Sequence, residues 1–401
     1  MEALVLAAGL GTRLRPLTNS RPKPLINIGG KTVIGYIIDS LKDFDEISFI
    51  VNYEREKLEE YIKEYLKLND YNVKTRFIEQ KEVNGTASAI SLSPYDEFLC
   101  INGDIFFEHS LISKVLESYS KYRTNIISVK KVDDPENYGV VYKKGNDFLK
   151  IHEKEKNPSS NLANMGVYFF TEEILDAIGK IKRSQRDEYE ITDALNLCKA
   201  KVLEYNGFWS DIGYFWDILN TNDFVMKKLE HKILGNIEKN VKIVPPVFIE
   251  ENTVVREGSY ITGPVKIGKD CKIGPNSFIR GNTVIGNKCH IGMCEVKNSI
   301  IYNKTNIPHF NYVGDSIIDE NCNLGAGTMV ANLRFDDKSI SVEVKNKKID
   351  SQRRKMGCIM GNNTKTGINV TIYPGRIIGS SCFIYPGKVV DKNVPDNTVL
   401  R

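Results

Sequence analysis

The chain has 401 residues, enough for two domains that each bury a core. Charged residues make up 26% and hydrophobic ones 41%, the balance of a soluble globular protein, and no apolar run approaches membrane-span length. The net charge of +4 is mild and dispersed, which gives no case for a nucleic-acid partner and leaves anionic small substrates open.

Met1 leads straight into a strand-like run, EALVLAA, rather than a signal peptide, so the expected location is the cytoplasm, without a membrane partner. The run ends in the glycine turn Gly9-Leu10-Gly11. Further strands are expected at Ile47–Val51, Val73–Ile78, Phe98–Ile101 and Ile126–Val129, and helices at Val33–Leu41, Lys57–Leu68 and Leu111–Tyr119. This alternation predicts an α/β domain with a mostly parallel sheet and helices on both faces. Ligands of such sheets sit at the carboxyl ends of the strands, so residues just after strands are the informative ones.

After the first strand come Ala7, Ala8, Gly9, Leu10, Gly11, Thr12 and Arg13, and then Arg21-Pro22-Lys23-Pro24. Glycines let backbone N–H groups approach phosphate oxygens, and Arg13 and Lys23 supply charge. There is no GKS/T and no third glycine, so this is neither a P-loop nor a dinucleotide fingerprint. Asn102-Gly103-Asp104 ends the strand Phe98–Ile101 and offers the kind of carboxylate that a Mg²⁺ site requires. A helix over Tyr214–Lys232 is expected to lead out, dividing the chain into domains 1–232 and 233–401.

Beyond it, aliphatic residues recur every six positions from Ile237 through Ile243, Ile249 and Val255 to Ile291. The phase slips near Lys297, slips again before Ile318, and resumes from Met360 to Val390. A six-residue period fits a triangular parallel β-helix, with coils beginning near Asn236. Residues 333–357 break the period and read as an excursion, a β-hairpin whose Arg353-Arg354-Lys355 is expected to be solvated rather than to meet CoA phosphates. Eight cysteines without a CxxC pair read as reduced thiols, with a structural zinc site as the rival.

The glycine-loop string resembles the signature of sugar-1-phosphate nucleotidylyltransferases, which implies a Rossmann-like nucleotidyltransferase domain. The resemblance implies that Ala7, Ala8, Gly9, Gly11, Thr12, Arg13 and Lys23 bind the nucleotide, and that Gln80, Gly85 and Thr86 read a pyrimidine base. It implies a Mg²⁺ site on Asp104 and Asp211, and a sugar-phosphate site on Asn102, Gly139, Glu153, Lys154 and Asn164. The attacking sugar-1-phosphate oxygen is already anionic, so positioning and charge neutralisation suffice, with Arg13 and Lys23 as the catalytic cations.

Ile307-Pro308-His309-Phe310-Asn311-Tyr312-Val313-Gly314-Asp315 interrupts the coil pattern. A neutral His309 could accept the proton of an amine that attacks a thioester. This stretch resembles the acetyltransferase domain of bifunctional N-acetylglucosamine-1-phosphate uridylyltransferases of the archaeal kind, which implies a left-handed parallel β-helix of hexapeptide repeats. The resemblance implies His309 as base, Arg280, Lys297, Tyr312, Asn323, Asn332 and Lys338 around an amino-sugar-1-phosphate, and Ala326 and Tyr385 around acetyl-CoA. It further implies UTP or dTTP as nucleotide, a homotrimer and a place in UDP-N-acetylglucosamine biosynthesis. Asp211, where the uridylyl branch usually has Asn, leaves the nucleobase open. Two rival readings are a nucleotidylyltransferase whose β-helix only oligomerises and a non-catalytic subunit of similar fold.

Overall fold

The computed structural model describes residues 1–401, which form two compact units. One comprises Met1–Leu10, Arg21–Leu25 and Thr32–Ile212, and the other Gly11–Ser20, Ile26–Lys31 and Gly213–Arg401. No helix is long and apolar enough to cross a membrane.

In the first unit β1 (Glu2–Leu6), β2 (Glu46–Val51), β3 (Lys74–Glu79) and β4 (Phe98–Asn102) are parallel, in the order β3-β2-β1-β4. Ala3, Leu4 and Val5 are wholly buried, because helices cover both faces of a central parallel strand; hence its continuous apolar sequence. Helix α1 (Val33–Ser40) starts at Thr32, whose hydroxyl accepts from Gly35 N at 3.0 Å. Helix α2 (Arg55–Leu68) buries Leu58, Ile62 and Leu66, one per turn, and leaves its charges outside.

Beyond β4 the sheet is no longer mostly parallel. It continues through β5 (Asn125–Lys131), β6 (Gly139–Lys144), β7 (Asp147–Glu153), β8 (Leu162–Phe170) and β9 (Ala200–Glu204), in the order β4-β8-β5-β9-β7-β6. β8 is antiparallel to β4 and β5, and β7 to β6 and β9. Connection length is one cause, since only Gly145 and Asn146 separate β6 from β7, and so short a turn joins antiparallel strands alone.

The second unit continues from α3 (Phe215–Met226), which stops short of the expected Lys232. Lys232–Ile233 is already paired in parallel with Phe248–Ile249, and the His231 ring accepts the Val247 N–H at 3.1 Å. The coils therefore begin at Lys232 rather than near Asn236. Pairing then steps by 18 residues, as from Val247 to Val265 and from Lys242 to Tyr260. Inward aliphatics stack in three columns, such as Ile249-Ile267-Ile285, Val255-Ile273-Ile291 and Ile261-Ile279, none more than 1% exposed.

The corners follow from local chemistry. Three residues after an inward aliphatic the backbone is left-handed, at Asn252 (φ 59°), Asp270 (57°), Asn276 (55°) and Asn282 (54°), a conformation that Asn and Asp tolerate. Two residues before an inward aliphatic, a small polar side chain ties one coil to the next. Thr253 Oγ1 donates to Gly268 O at 2.6 Å, Cys271 Sγ to Gly286 O at 3.0 Å and Cys322 Sγ to Gly361 O at 3.2 Å. These thiols fill the role of a hydroxyl in the core.

The phase slips are shortened sides. The step falls to 16 from Ile285 to Ile301, where Val296, not Lys297, takes the inward position, and to 17 from Ile301 to Ile318. It rises to 42 from Ile318 to Met360, where the chain leaves the coil and forms the expected hairpin, Ser341–Val344 against Lys347–Asp350.

Candidate active sites

β1 lies between β2 and β4 where the strand order reverses, the place at which an open α/β sheet holds ligands. Leu6 and Asn102 are register partners, so Ala7-Ala8-Gly9 and Gly103-Asp104 leave the sheet side by side. Gly103 N donates to Leu6 O at 2.8 Å, and a Cβ on Gly103 would lie 2.7 Å from that oxygen, so glycine is required there. The cleft above measures about 240 Å³, and its walls include Ala7, Ala8, Gly9, Lys23, Gln80, Gly85, Thr86, Asn102 and Asp104.

Lys23, with its side chain 9% exposed, sets Nζ 2.6 Å from Asp104 Oδ2 and 3.6 Å from Asp211 Oδ1. The strand Trp209–Asp211 runs antiparallel to Ile105–Phe107, and Ile212 N donates to Asp104 O at 3.1 Å. Backbone pairing thus fixes both carboxylates around one cation. Two hard oxygen donors fit a divalent ion that keeps several waters, as Mg²⁺ does, and no cluster of three or more His, Cys, Asp or Glu offers a closed metal cage.

Gln80 is 4% exposed, and its Nε2 donates to Gly85 O at 3.2 Å and Ser88 Oγ at 2.7 Å. Both amide hydrogens are spent in the wall, which leaves Oε1 as the acceptor for a ligand. Gly85 has φ 121°, and a Cβ would lie 2.3 Å from Tyr189 O. Tyr189 holds this loop by accepting from Ala87 N at 2.9 Å and donating to Asn84 O at 2.8 Å, and Glu188 beside it lines the cleft. Sequence reasoning missed Glu188 and Tyr189, which lie outside any periodic element.

Gly11, Thr12 and Arg13 belong to the second unit. Gly11 has φ 60° and accepts from Thr18 Oγ1 at 2.9 Å, Thr12 opens a single turn of helix, and Arg13 Cζ lies 5.1 Å from the Tyr214 ring centre.

Among the residues expected to hold the sugar phosphate, Gly139 and Glu153 are register partners, and a Cβ on Gly139 would come within 3.1 Å of Glu153 Oε2. Burial pushes the Glu153 carboxyl up, against the opposing pull of Arg186 at 3.4 Å. Lys154 follows with φ 51° and an exposed side chain. Asn164 Nδ2 donates to Tyr168 OH at 2.6 Å, and Gly166 leaves so little room that a Cβ would lie 2.5 Å from Asn102 Nδ2.

In the second unit β10 (His290–Lys297) runs parallel to β11 (Asn306–Gly314), with Met293 opposite His309 and Glu295 opposite Tyr312. One residue separates the first members and two the second: the side from Ile307 to Val313 keeps the usual six residues, with left-handed Phe310 at its corner, and it is β10 that is one residue short, between Ile291 and Val296. Phe310 has φ 51° and is 64% exposed. The short side of β10 shifts the register next to His309, which is exposed and lies opposite Met293. Gly292 lies in that short side, where a Cβ would come within 1.9 Å of Pro308 O.

Arg280 and Lys297 are partners on successive coils. Arg280 Nη2 donates to Glu295 Oε1 at 2.6 Å. Lys297 Nζ lies 3.3 Å from Asp315 Oδ2, to which Asn332 Nδ2 donates at 2.5 Å while also donating to Tyr312 OH at 3.2 Å. Lys297, Tyr312 and Asn332 are thus brought together around Asp315, with Arg280 one coil away. No hydrogen bond or ion pair joins Asn323, Lys338, Ala326 or Tyr385 to this network. Asn323 is tied by its backbone to Thr364 and Thr366, and Lys338 is exposed on the excursion. Ala326 O accepts from Asn369 N at 2.8 Å, and Tyr385 N donates to Leu400 O at 2.9 Å.

Arg353 corrects the expectation of a solvated basic run. Its side chain is 14% exposed, with Nη1 3.3 Å from Asp223 Oδ2 and Nη2 3.9 Å from Asp315 Oδ1. Arg354 is exposed and pairs with Asp337 at 2.6 Å, as a solvated charge does. Three basic residues in a row are indistinguishable by composition; folding the excursion back onto the coil buries one of them.

Residues 2–228 match the nucleotidyl transferase family model, and residues 260–400 match the GMPPB C-terminal domain model. A UDP-glucose pyrophosphorylase solved with UDP-glucose shares the fold, with a TM-score of 0.52 over 57% of this chain and 98% of that one, at 23% identity. The bifunctional protein GlmU of Methanocaldococcus jannaschii is 45% identical over all of this chain and 97% of its own length. The chain belongs to the bifunctional GlmU family. A bifunctional sugar-1-phosphate nucleotidylyltransferase/acetyltransferase of Sulfurisphaera tokodaii is 43% identical over 98% of both chains, so the likeness to GlmU-type enzymes spans both units. As in the other GlmU-type proteins, nucleotidyltransferase and acetyltransferase roles share one polypeptide.

Proposed function

We propose that the β-helix acetylates glucosamine-1-phosphate, with galactosamine-1-phosphate as a second acceptor, and that the α/β unit then joins a sugar-1-phosphate to UTP or dTTP. The domains meet at 232/233, the enzyme works in the cytoplasm, and its product is the UDP-N-acetylglucosamine class of nucleotide sugar. In the first site the sugar phosphate oxygen forms a bond to the α-phosphorus while the bond to the β-phosphate oxygen breaks, releasing pyrophosphate. Arg13, Lys23 and Lys154 neutralise phosphate charge, Gln80, Gly85 and Thr86 face the base, and Asn102, Gly139, Glu153 and Asn164 face the sugar. Mg²⁺ held by Asp104 and Asp211 supplies charge neutralisation on the phosphates.

In the second site the amine nitrogen attacks the acetyl thioester. The C–N bond forms, the C–S bond breaks, and His309 takes the proton from nitrogen and passes it to the departing sulfur, so CoA leaves as the thiol. Arg280 and Lys297 hold the sugar phosphate with Tyr312, Asn323, Asn332 and Lys338, and acetyl-CoA lies along Ala326 and Tyr385. The observation that carries this reading is the exposed His309, opposite the point where β10 is one residue short and on the coil next to the stacked Arg280 and Lys297.

A homotrimer is supported by an outer column on the same face, where Tyr260 (42% exposed) and Met329 (43%) share a row with Tyr312. Thiol release from acetyl-CoA with glucosamine-1-phosphate, in the wild type and in His309→Ala, tests the function. No release from the wild type defeats the acetyltransferase reading, and equal release from both defeats the assigned base.

A further inference from the structure

Asp315 is 3% exposed and cannot meet a ligand, yet it is bonded to residues that can. Its Oδ2 accepts from Asn332 Nδ2 at 2.5 Å and lies 3.3 Å from Lys297 Nζ. Its Oδ1 accepts from Asn298 Nδ2 at 2.6 Å and lies 3.9 Å from Arg353 Nη2. Arg353 also donates to Asn220 Oδ1 and faces Asp223 Oδ2 at 3.3 Å. Two cations and two carboxylates therefore balance, which is the condition for burying charge without a large desolvation penalty. Asn332 and the excursion are tied to the same point, because Met356 N donates to Asn332 O at 3.0 Å and Gly357 N to Asp315 O at 2.8 Å.

The consequence falls on Asn332. A primary amide has two donor hydrogens on Nδ2 and acceptor lone pairs on Oδ1. Asp315 Oδ2 and the Tyr312 hydroxyl take both hydrogens. The flipped amide would set Oδ1 against a carboxylate, which only accepts, so the flip is excluded. Asn332 Oδ1 accepts nothing from the protein and is not sealed from solvent. A buried carboxylate has made Asn332 a one-way acceptor.

We infer that Asp315, steadied by Arg353, is a positioning residue for the acetyl-acceptor site, and that it presents Asn332 Oδ1 to the ammonium group of an amino-sugar phosphate. The inference rests on the acetyltransferase reading above. An ammonium offers donors only, whereas a sugar hydroxyl can donate or accept. The polarity imposed on Asn332 therefore favours an amino sugar over its hydroxyl counterpart, and losing it penalises the amino sugar alone.

The test is thiol-release kinetics on the full-length wild type, Asp315→Asn, and Asp315→Asn combined with Arg353→Gln. The double variant removes one charge of each sign and serves if the single one does not fold. Glucosamine-1-phosphate is the substrate and glucose-1-phosphate the competing inhibitor. The expected result is a KM for glucosamine-1-phosphate raised about tenfold or more beyond any change in the inhibition constant of glucose-1-phosphate, which shares the phosphate that Lys297 holds, with the KM for acetyl-CoA within about twofold of wild type. If both sugar constants rise by the same factor, Asp315 is only a structural support and the inference is overturned; it is equally overturned if neither rises. A wild type that releases no thiol overturns the acetyltransferase reading as well, so the two failures are told apart by the wild type alone.

Discussion

Lys23 Nζ stands 2.6 Å from Asp104 Oδ2, and the same ammonium is 3.6 Å from Asp211. The side chain that would neutralise a phosphate is held in place by the carboxylates that would hold a metal. Removing either carboxylate therefore disturbs two functions at once. Asp104→Ala is expected to lower pyrophosphate release by about a thousandfold or more while leaving thiol release intact. Chelation should silence pyrophosphate release alone, and added Mg²⁺ should restore it. Parallel assays of the two products check this, and a variant that keeps pyrophosphate release would refute the metal site.

Gly85 combines a φ of 121° with a backbone neighbour where a Cβ would lie, 2.3 Å from Tyr189 O. Gly85→Ala must move that loop, because backbone cannot swing aside as a flexible side chain can. The KM for the nucleotide should rise about tenfold and stability should fall by about 1–3 kcal/mol. Initial rates against nucleotide concentration, together with a melting curve, decide the matter; an unchanged KM would separate Gly85 from base binding.

Phe310 is the left-handed corner residue of the six-residue side from Ile307 to Val313. Deleting it shortens that side to the five residues of the one before it and turns His309 away from its present direction. Thiol release should fall about a hundredfold, with the circular dichroism spectrum and pyrophosphate release kept. Full thiol release from the deletion would mean that this corner does not aim His309.

Seven of the eight cysteines are buried, and Cys198 is half-exposed. Burial pushes the Cys198, Cys294 and Cys358 thiols up to about 12. Their reactive thiolate is scarce at any pH below that value. Cys271 is held lower by the Cys289 thiol hydrogen-bonded to it but is 1% exposed. An aromatic disulfide reagent at pH 8 should label the native protein slowly, at Cys198 first, and all eight only after denaturation. Rapid labelling of a coil cysteine in the native state would contradict this packing.

Much of the architecture was legible because its causes are local. Ile267 and Ile273 face inward because a six-residue side returns the chain to the same column, and Asp270 turns the corner because it tolerates φ near 57°. Lys23 and Asp104 were legible as strand-end residues of an α/β pattern. Arg353 was not, because its burial depends on where the excursion folds back, and nothing within a few residues of it encodes that. Asp315 was passed over for a similar reason. A Gly-Asp pair at a coil corner is ordinary turn chemistry until Lys297, Asn332 and Arg353 arrive from other coils.

By itself the sequence determined the period, the corners, the glycine loop and the identities of the charged groups, all of which depend on neighbours along the chain. Only the tertiary structure decided which way those groups face. Gln80 Oε1 and Asn332 Oδ1 are left as acceptors because their amide hydrogens are spent on Gly85 and Ser88 in one case and on Asp315 and Tyr312 in the other. The polarity of an amide is set by its partners in space, and for Asn332 those partners lie 17 and 20 residues away in the chain.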